Sequence, residues 1–365
     1  TAKYHTIFGC ASQRRIHSLL QRAGIEVYAT LHCSCVTCAE TKSHMPSRRV
    51  FERTNVPKSQ VQGKAWNPTD PDLRAAIQQL KITDLDLNVF HVRATLPGQV
   101  YHCDTIPLGK CWNGMTEALV MVDDATRKLY AYAMKNKTAE SVVDALHNHF
   151  LHTRSSPQGL HFYCHRVELH SDQGSEFINA KVNAFCKSMG AIQTFSCPGS
   201  LGKWQNAICE RKIKDLGAMM RVVVYRSNMP HASAVYAMYH ARDILNELPT
   251  TANPTDDDIL GLPPNYLHGS TDFDISTWHA FGSHCTVHLD PEHKIPSEPH
   301  VTAASCVYLC KAHHIGASGH VLWDYKHKRR LIVPSITTGP QWNYFPMRPQ
   351  GQQHLSIFLT WEAPP

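Results

Sequence analysis

The stretches YHCDTIPLG (101–109), ELHSDQGSEF (168–177) and QNAICERK (205–212) decide how this chain is read. The first predicts a strand over 99–105 that ends near Asp104. The second predicts a strand that delivers Asp172 at its end, with Gly174 permitting a sharp turn behind it. The third opens a long helix, about 204–227, on which Asn206, Glu210 and Lys214 recur every fourth residue and share a polar face. Asp104, Asp172 and Glu210 together would make an oxygen-rich pocket without sulfur or imidazole. That donor set suits Mg²⁺ or Mn²⁺, and two such ions a few Å apart suit in-line displacement at a phosphodiester. A single Asp is more often a surface or capping acid; the agreement of context at three positions singles these out. Glu176, four residues after Asp172, is the rival third ligand. Its place also fits a helix N-terminal acid, and that reading is preferred.

Around these stretches the pattern is mixed α/β. EALVMVDD (117–124) and KLYAYAMK (128–135) predict paired strands joined by a turn at 124–127. AESVVDALHNHFL predicts a helix with Val143, Leu146 and Phe150 on one face. AKVNAFCKSMG predicts another, with Val182, Phe185 and Met189 inward and Gly190 as its stop. IQTFS is a short strand. On the long helix, Ile213, Leu216, Met220 and Val223 form the expected buried stripe, and residues 231–248 form a further helix stopped by Pro249. HCTVHL, ASCVYLC, GHVLWDY and RRLIVP predict a small β-rich unit, with a basic hairpin tip at 326–330. The domain reading is therefore 1–50, a small Cys/His-rich unit; 51–98, a polar linker with one helical patch near 72–82; 99–250, the α/β core; 251–280, a connector; and 281–365, a small β-rich C-terminal domain.

The chain has 365 residues, 42% hydrophobic and 18% charged, with a net charge of +6. This is the composition of a globular protein, and the mild basicity is compatible with a polyanionic partner. Thirteen cysteines, an odd number, in a chain this long are not a disulfide scaffold and point to a reducing compartment. No run of 18 apolar residues predicts a membrane span, and no signal peptide is seen. The start at Thr1, without Met, and the end at Pro365 read as a segment of a longer polyprotein or gene model. There is no phosphate-binding P-loop, no GxGxxG and no nucleophile elbow.

In the first 50 residues, His5 and Cys10 precede Cys35 and Cys38, paired ligands of the kind a tetrahedral zinc site uses. A unit this small has too little core to fold unaided, so one structural Zn²⁺ would contribute its folding energy. His17, His32, Cys33 and His44 lie nearby and leave the ligand set open. Basic residues are dense through this unit and the linker, and Lys203, Arg211, Lys212 and Lys214 flank Glu210. Lys203 and Lys214 are expected beside the acid pocket, where they could grip phosphates; the same charges also fit solvated faces.

At this point the chain resembles the integrase of copia-type (Pseudoviridae) LTR retrotransposons, in the retroviral-integrase-like Asp-Asp-Glu superfamily. YHTIFGCASQRRIHSLL with CVTCAETK resembles the pre-integrase zinc region. YHCDTIP, VDDATRKLYAY, LHSDQGSEF and QNAICERKIKDL follow the order of the catalytic core, and WHAFGSHCTVHL with GHVLWDYKHKRRLIVP that of the downstream region. The resemblance implies an RNase H-like catalytic core with an N-terminal helical zinc-binding unit and a small C-terminal β-rich domain. It implies Asp104, Asp172 and Glu210 as catalytic ligands of two Mg²⁺ (or Mn²⁺) ions, with Asp104 bridging, and Lys203, Asn206, Arg211 and Lys214 as DNA-binding residues. The implied activity is that of a DNA integrase, which trims the 3′ ends of element cDNA and joins them to target DNA. The implied partners are double-stranded DNA and further copies of the chain, without a membrane, in the nucleus after a cytoplasmic virus-like particle. Departures from the family pattern are Cys10 in place of a zinc histidine, Gln173 and Ser175 after the second Asp, and Ala207 and Cys209 before the Glu. They keep a second reading open: an inactive or domesticated DNA-binding or assembly protein.

Overall fold

The structure is a computed structural model that describes residues 2–25, 32–34, 93–154, 167–196, 206–253, 261–269, 274–298, 300–315, 318–341, 343–350, 352–353 and 358–360. The proposed linker 51–98 lies almost wholly outside these residues. At the N-terminus come two helices, α1 (Ala2–Ile7) and α2 (Gln13–Arg22), and a short strand β1 (His32–Ser34) that pairs with β12 (Phe358–Thr360).

The central sheet has the order β4-β3-β2-β5-β6, built from β2 (Val100–Pro107), β3 (Glu117–Asp123), β4 (Leu129–Met134), β5 (Glu168–Ser171) and β6 (Ile192–Phe195). β2, β3 and β4 run antiparallel, and β5 and β6 continue parallel to β2. Alternation along each strand sends residues to opposite faces. Tyr101, Cys103, Leu119 and Met121 pack with Val142, Leu146 and Phe150 of α3 (Ala139–Arg154) and with Val182 and Cys186 of α4 (Ala180–Ser188). Ala118, Val120, Val122, Leu129 and Ala131 face the other way, toward α5 (Ala207–Ser227) and α6 (Ala234–Glu247). The inward face of α3 is thus Val142, Leu146 and Phe150, with Val143 at its margin.

Strand β2 does not stop at Asp104. Thr105, Ile106 and Pro107 go on to pair with Leu119, Ala118 and Glu117. Pro107, which has no N–H to give a ladder, falls at the last position. Asp104 therefore stands inside the β2–β3 ladder, with paired residues before and after it, not at the strand's frayed end.

The stripe of α5 also differs from the expected one. Cys209, Lys212, Leu216, Met219, Val223 and Arg226 are buried, whereas Ile213 and Met220 are only partly covered. The cause is tertiary: α5 is covered from the N-terminal side as well as by the sheet. Ile7, Phe8, Ile16, Leu19 and Leu20 join Met219 and Val223 in one apolar cluster. Gly9, at φ +56°, sits where an added Cβ would lie 2.9 Å from Met219 Cγ, so the close approach needs a residue without a side chain.

The C-terminal sheet has the order β10-β9-β8-β7-β11, from β7 (His284–His288), β8 (Ala303–Lys311), β9 (His320–Asp324), β10 (Arg329–Val333) and β11 (Thr338–Gln341). It shares a core with the α/β layer. Phe281, Val307, Leu309, Val321 and Phe345 belong to the same cluster as Val120, Leu216 and Val235. Helix α6 lies between the two sheets and is buried along most of its length. Trp112 stacks on Trp323 at 4.2 Å between ring centroids, tying the β2–β3 loop to β9. Among the described residues, no helix is long and apolar enough to cross a membrane.

Two polar side chains inside this core show how burial demands partners. Asn246 of α6 caps the outer edge of β4: its Oδ1 accepts from Leu129 N at 2.7 Å and its Nδ2 donates to Leu129 O at 2.8 Å. Asp123 at the end of β3 accepts from Gly98 N, Thr126 N and Thr126 Oγ1. Removing that carboxylate would orphan three buried donors. Asp123→Ala is expected to cost about 3 kcal/mol, read as a lower urea midpoint; a midpoint equal to wild type would contradict this account.

Burial lowers the pKa of His240 to about 3 and of His279 to about 4. A histidine depressed in the folded state binds its proton more readily when unfolded. Its contribution is therefore complete above the ordinary value of 6.5 and is lost as the pH falls below it. Asp104 and Asp123, raised by burial, act in the opposite direction. His240, against Phe281 and Tyr308, gives the clean comparison. His240→Phe is expected to spare about 2 kcal/mol of the stability lost between pH 7 and pH 5. Thermal midpoints of the two proteins at both pH values check this.

Candidate active site

Two side-chain bonds flank Asp104 on β2 and bring the other two segments to it. One residue before it, Cys103 O accepts from Asn206 Nδ2 at 3.1 Å, fastening the start of α5 to the strand. One residue after it, Thr105 Oγ1 donates to Glu176 Oε1 at 3.2 Å, fastening the loop that follows Asp172. The β2–β5 ladder aligns Cys103 with Ser171, so Asp104 follows on β2 and Asp172 is the first residue beyond β5. Glu210 stands in the first turn of α5.

Asp104 is half-buried and Asp172 exposed. Asp104 Oδ1 accepts from Thr105 N at 2.7 Å, and Asp172 Oδ1 from Gly174 N at 3.2 Å. Burial, with the negative charges of Asp172 and Glu176 close by, pushes the Asp104 carboxyl up to about 6, against the pull of the Thr105 N–H and Lys137. Concentrated carboxylate charge in a partly dry place is what a hard divalent cation relieves. The donors are all oxygen, so the residues fit Mg²⁺ or Mn²⁺ chemically. Asp104, Asp172 and Glu210 do not all lie within 4.8 Å of one another; among the described residues the group that does is Asp290, Glu292 and His293, beyond β7.

Glu176 is not a helix N-terminal acid. The N-cap of α4 is Asn179, whose side chain accepts from Lys181 N, and its first turn holds no acid. Glu176 is instead buried beside Asp104 and forms an ion pair with Lys137 Nζ at 2.9 Å. Lys137, in the loop between β4 and α3, was not legible as a site residue. Nothing in its sequence neighbourhood points toward acids 35 to 39 residues away, at Asp172 and Glu176.

The expected DNA-binding residues divide. Arg211 and Lys214 are exposed on α5. Asn206 is 4% exposed, with its amide committed to Cys103, so its place is structural and it has no surface to offer DNA. Lys203 lies outside the described residues. So do Cys35 and Cys38 of the expected zinc quartet. Of the other two, His5 is buried on α1 and its carbonyl accepts from Cys10 N at 2.8 Å, while Cys10 Sγ accepts from the buried Arg226 at 3.5 Å.

Residues 94–200 match the integrase core domain family. The match takes in Asp104 and Asp172 and stops short of Glu210. No curated protein matches the chain. Among solved structures, the chain is similar to the simian T-cell lymphotropic virus intasome in complex with PP2A regulatory subunit B56 gamma, at 16% identity over 68% of this chain and 80% of that one, TM-score 0.39. It is also similar to the HTLV-2 integrase catalytic core domain in complex with magnesium, at 19% identity over 48% and 99%, TM-score 0.35. A third likeness is to the BIV integrase catalytic core domain, at 20% identity over 47% and 93%, TM-score 0.31.

The contrast between Asn206 and Lys214 is measurable. If Lys214 meets phosphate, Lys214→Ala lowers the salt dependence of DNA binding by about one unit of slope on logarithmic axes. Asn206→Ala leaves that slope unchanged and lowers the urea midpoint instead. Equal slopes for Lys214→Ala and wild type would remove Lys214 from the interface.

Proposed function

We propose that this chain is a metal-dependent polynucleotidyl transferase of the integrase type, and that its lineage is that of copia-type retrotransposons. The reading is carried by one observation: Asp104, on a central strand, is fastened on either side to the segments that bear Asp172 and Glu210. The family match over 94–200 supports it.

In this reading Asp104, Asp172 and Glu210 would together hold two divalent cations. Bound Mg²⁺ or Mn²⁺ would supply Lewis acidity at the phosphodiester and lower the pKa of the attacking hydroxyl. The chain's own part is placement. The sheet fixes Asp104, and the Asn206 bond holds the first turn of α5 against it, so the approach of acid and substrate is set before binding. Arg211 and Lys214, exposed on the same helix, are placed to take phosphate oxygens of a DNA strand. Water attacks a phosphodiester near the 3′ end and the P–O3′ bond breaks, leaving a free 3′-hydroxyl and releasing the terminal nucleotides with a 5′-phosphate. That 3′-hydroxyl then attacks a target phosphodiester, forms the new P–O bond and displaces the target strand's 3′ oxygen, which takes up the proton. Double-stranded DNA and further copies of the chain are the partners, and the nucleus is the place of joining. A structural Zn²⁺ on His5, Cys10, Cys35 and Cys38 belongs to the same reading.

A second reading, an assembly or DNA-binding protein without catalysis, has one observation in its favour: the three acids do not close to within 4.8 Å as a group. A strand-transfer assay with a pre-trimmed oligonucleotide and plasmid, in Mg²⁺ and in Mn²⁺, separates the two. Joined product is expected from the wild type, and its loss in Asp172→Asn with the thermal midpoint kept. Joining that survives in Asp172→Asn refutes the assignment; DNA binding without product under either metal favours the second reading.

A further inference from the structure

We propose that Glu176 is a positioning residue that sets the separation of Asp104 and Asp172, clamping the loop behind Asp172 onto β2 through Thr105, with Lys137 as its counter-ion. This rests on the reading of Asp104 and Asp172 as the metal-holding acids.

The need for a clamp follows from the register. The parallel ladder joining β2 to β5 ends at Cys103 and Ser171, one residue short of each aspartate. Beyond that point the backbone no longer spaces the two chains. Gln173 Nε2 donates to Ser196 O at 3.1 Å and Gln193 Nε2 to Phe177 O at 2.8 Å. Both bonds hold the loop toward β6, away from β2. The Thr105–Glu176 bond runs the other way, from the loop to the residue next to Asp104.

Strand alternation makes Thr105 the right attachment. Neighbouring side chains leave opposite faces of a strand, and Tyr101 and Cys103, which share the face of Thr105, belong to the α3–α4 side. Glu176 therefore grips β2 from behind, leaving the Asp104 face open. A buried carboxylate needs partners. Glu176 is 5% exposed and has two, Thr105 and Lys137. Lys137 balances its charge, so Glu176 does not add a bare fourth acid to the site. Gly174 completes the arrangement: a Cβ there would lie 2.6 to 2.9 Å from the Glu176 carboxylate. A side chain at 174 would push the Glu176 carboxylate from this place.

The test uses the full chain in four variants: Thr105→Val, Glu176→Ala, Glu176→Gln and the Thr105→Val/Glu176→Ala double. Two readouts are taken: Mn²⁺ affinity from the electron paramagnetic resonance of free Mn²⁺, and amide exchange at Phe177 and Ile178, whose N–H groups bond Gly174 O. Thr105→Val and Glu176→Ala are each expected to weaken Mn²⁺ binding about tenfold and to speed exchange at both amides. The double variant should be no worse than Glu176→Ala. Glu176→Gln, which can still accept from Thr105, should recover most of the loss. Thr105→Val is nearly isosteric and guards against simple misfolding. Unchanged affinity and exchange in Thr105→Val overturn the clamp. So does a Glu176→Gln protein that loses Mn²⁺ as completely as Asp172→Asn, because that is the behaviour of a ligand. If the wild type binds no Mn²⁺, the metal reading fails, and the exchange data alone then decide whether the clamp exists.

Discussion

The site depends on β2 being an interior strand. Antiparallel pairing with β3 from Tyr101 to Pro107, and parallel pairing with β5 from Val100 to Cys103, leave β2 little freedom. A carboxylate midway along such a strand is held by backbone hydrogen bonds that its own charge cannot disturb. Asp104 can therefore be partly desolvated and surrounded by negative charge, with its carboxyl pushed up to about 6, without the chain moving to relieve it. The other acids hang from this bar. Asn206 reaches it at Cys103 and Glu176 at Thr105, so both mobile contributors are referenced to the one rigid element.

The remainder of the molecule supports the same bar from outside. The α3–α4 face of the sheet is closed by a compact aliphatic and aromatic cluster. The α5–α6 face is closed by helices that are themselves covered by the N-terminal helices and the C-terminal sheet. This second layer explains why α5 buries Lys212 and Arg226. Burial lowers Lys212 to about 8, a cost accepted because the stripe facing the core must continue past each turn of the helix.

Much of the plan is legible from pattern alone. Alternating apolar runs marked β3 and β4, the Asp124–Arg127 turn between them, and the four short runs that became β7, β8, β9 and β10. On α2, Ile16, Leu19 and Leu20 fall at the spacing of one helix face, and all three are buried. What could not be read is side-chain commitment. Asn206 and Lys214 recur on one helical face with the same interval as Glu210, yet one amide is spent on Cys103 while the ammonium stays in solvent. Periodicity assigns a face; it does not say which end of that face touches another strand.

By itself, then, the order of residues determined the acids, the strands and helices that carry them, and the α/β layering, because those follow from local periodicity and chemical type. Only tertiary structure decided that Glu176 belongs under the loop with Thr105 and Lys137, that β2 continues past Asp104, and that the C-terminal sheet shares a core with α6. Each of these rests on contacts between residues far apart in the chain, whose distances are set by packing and register and leave no mark on local composition.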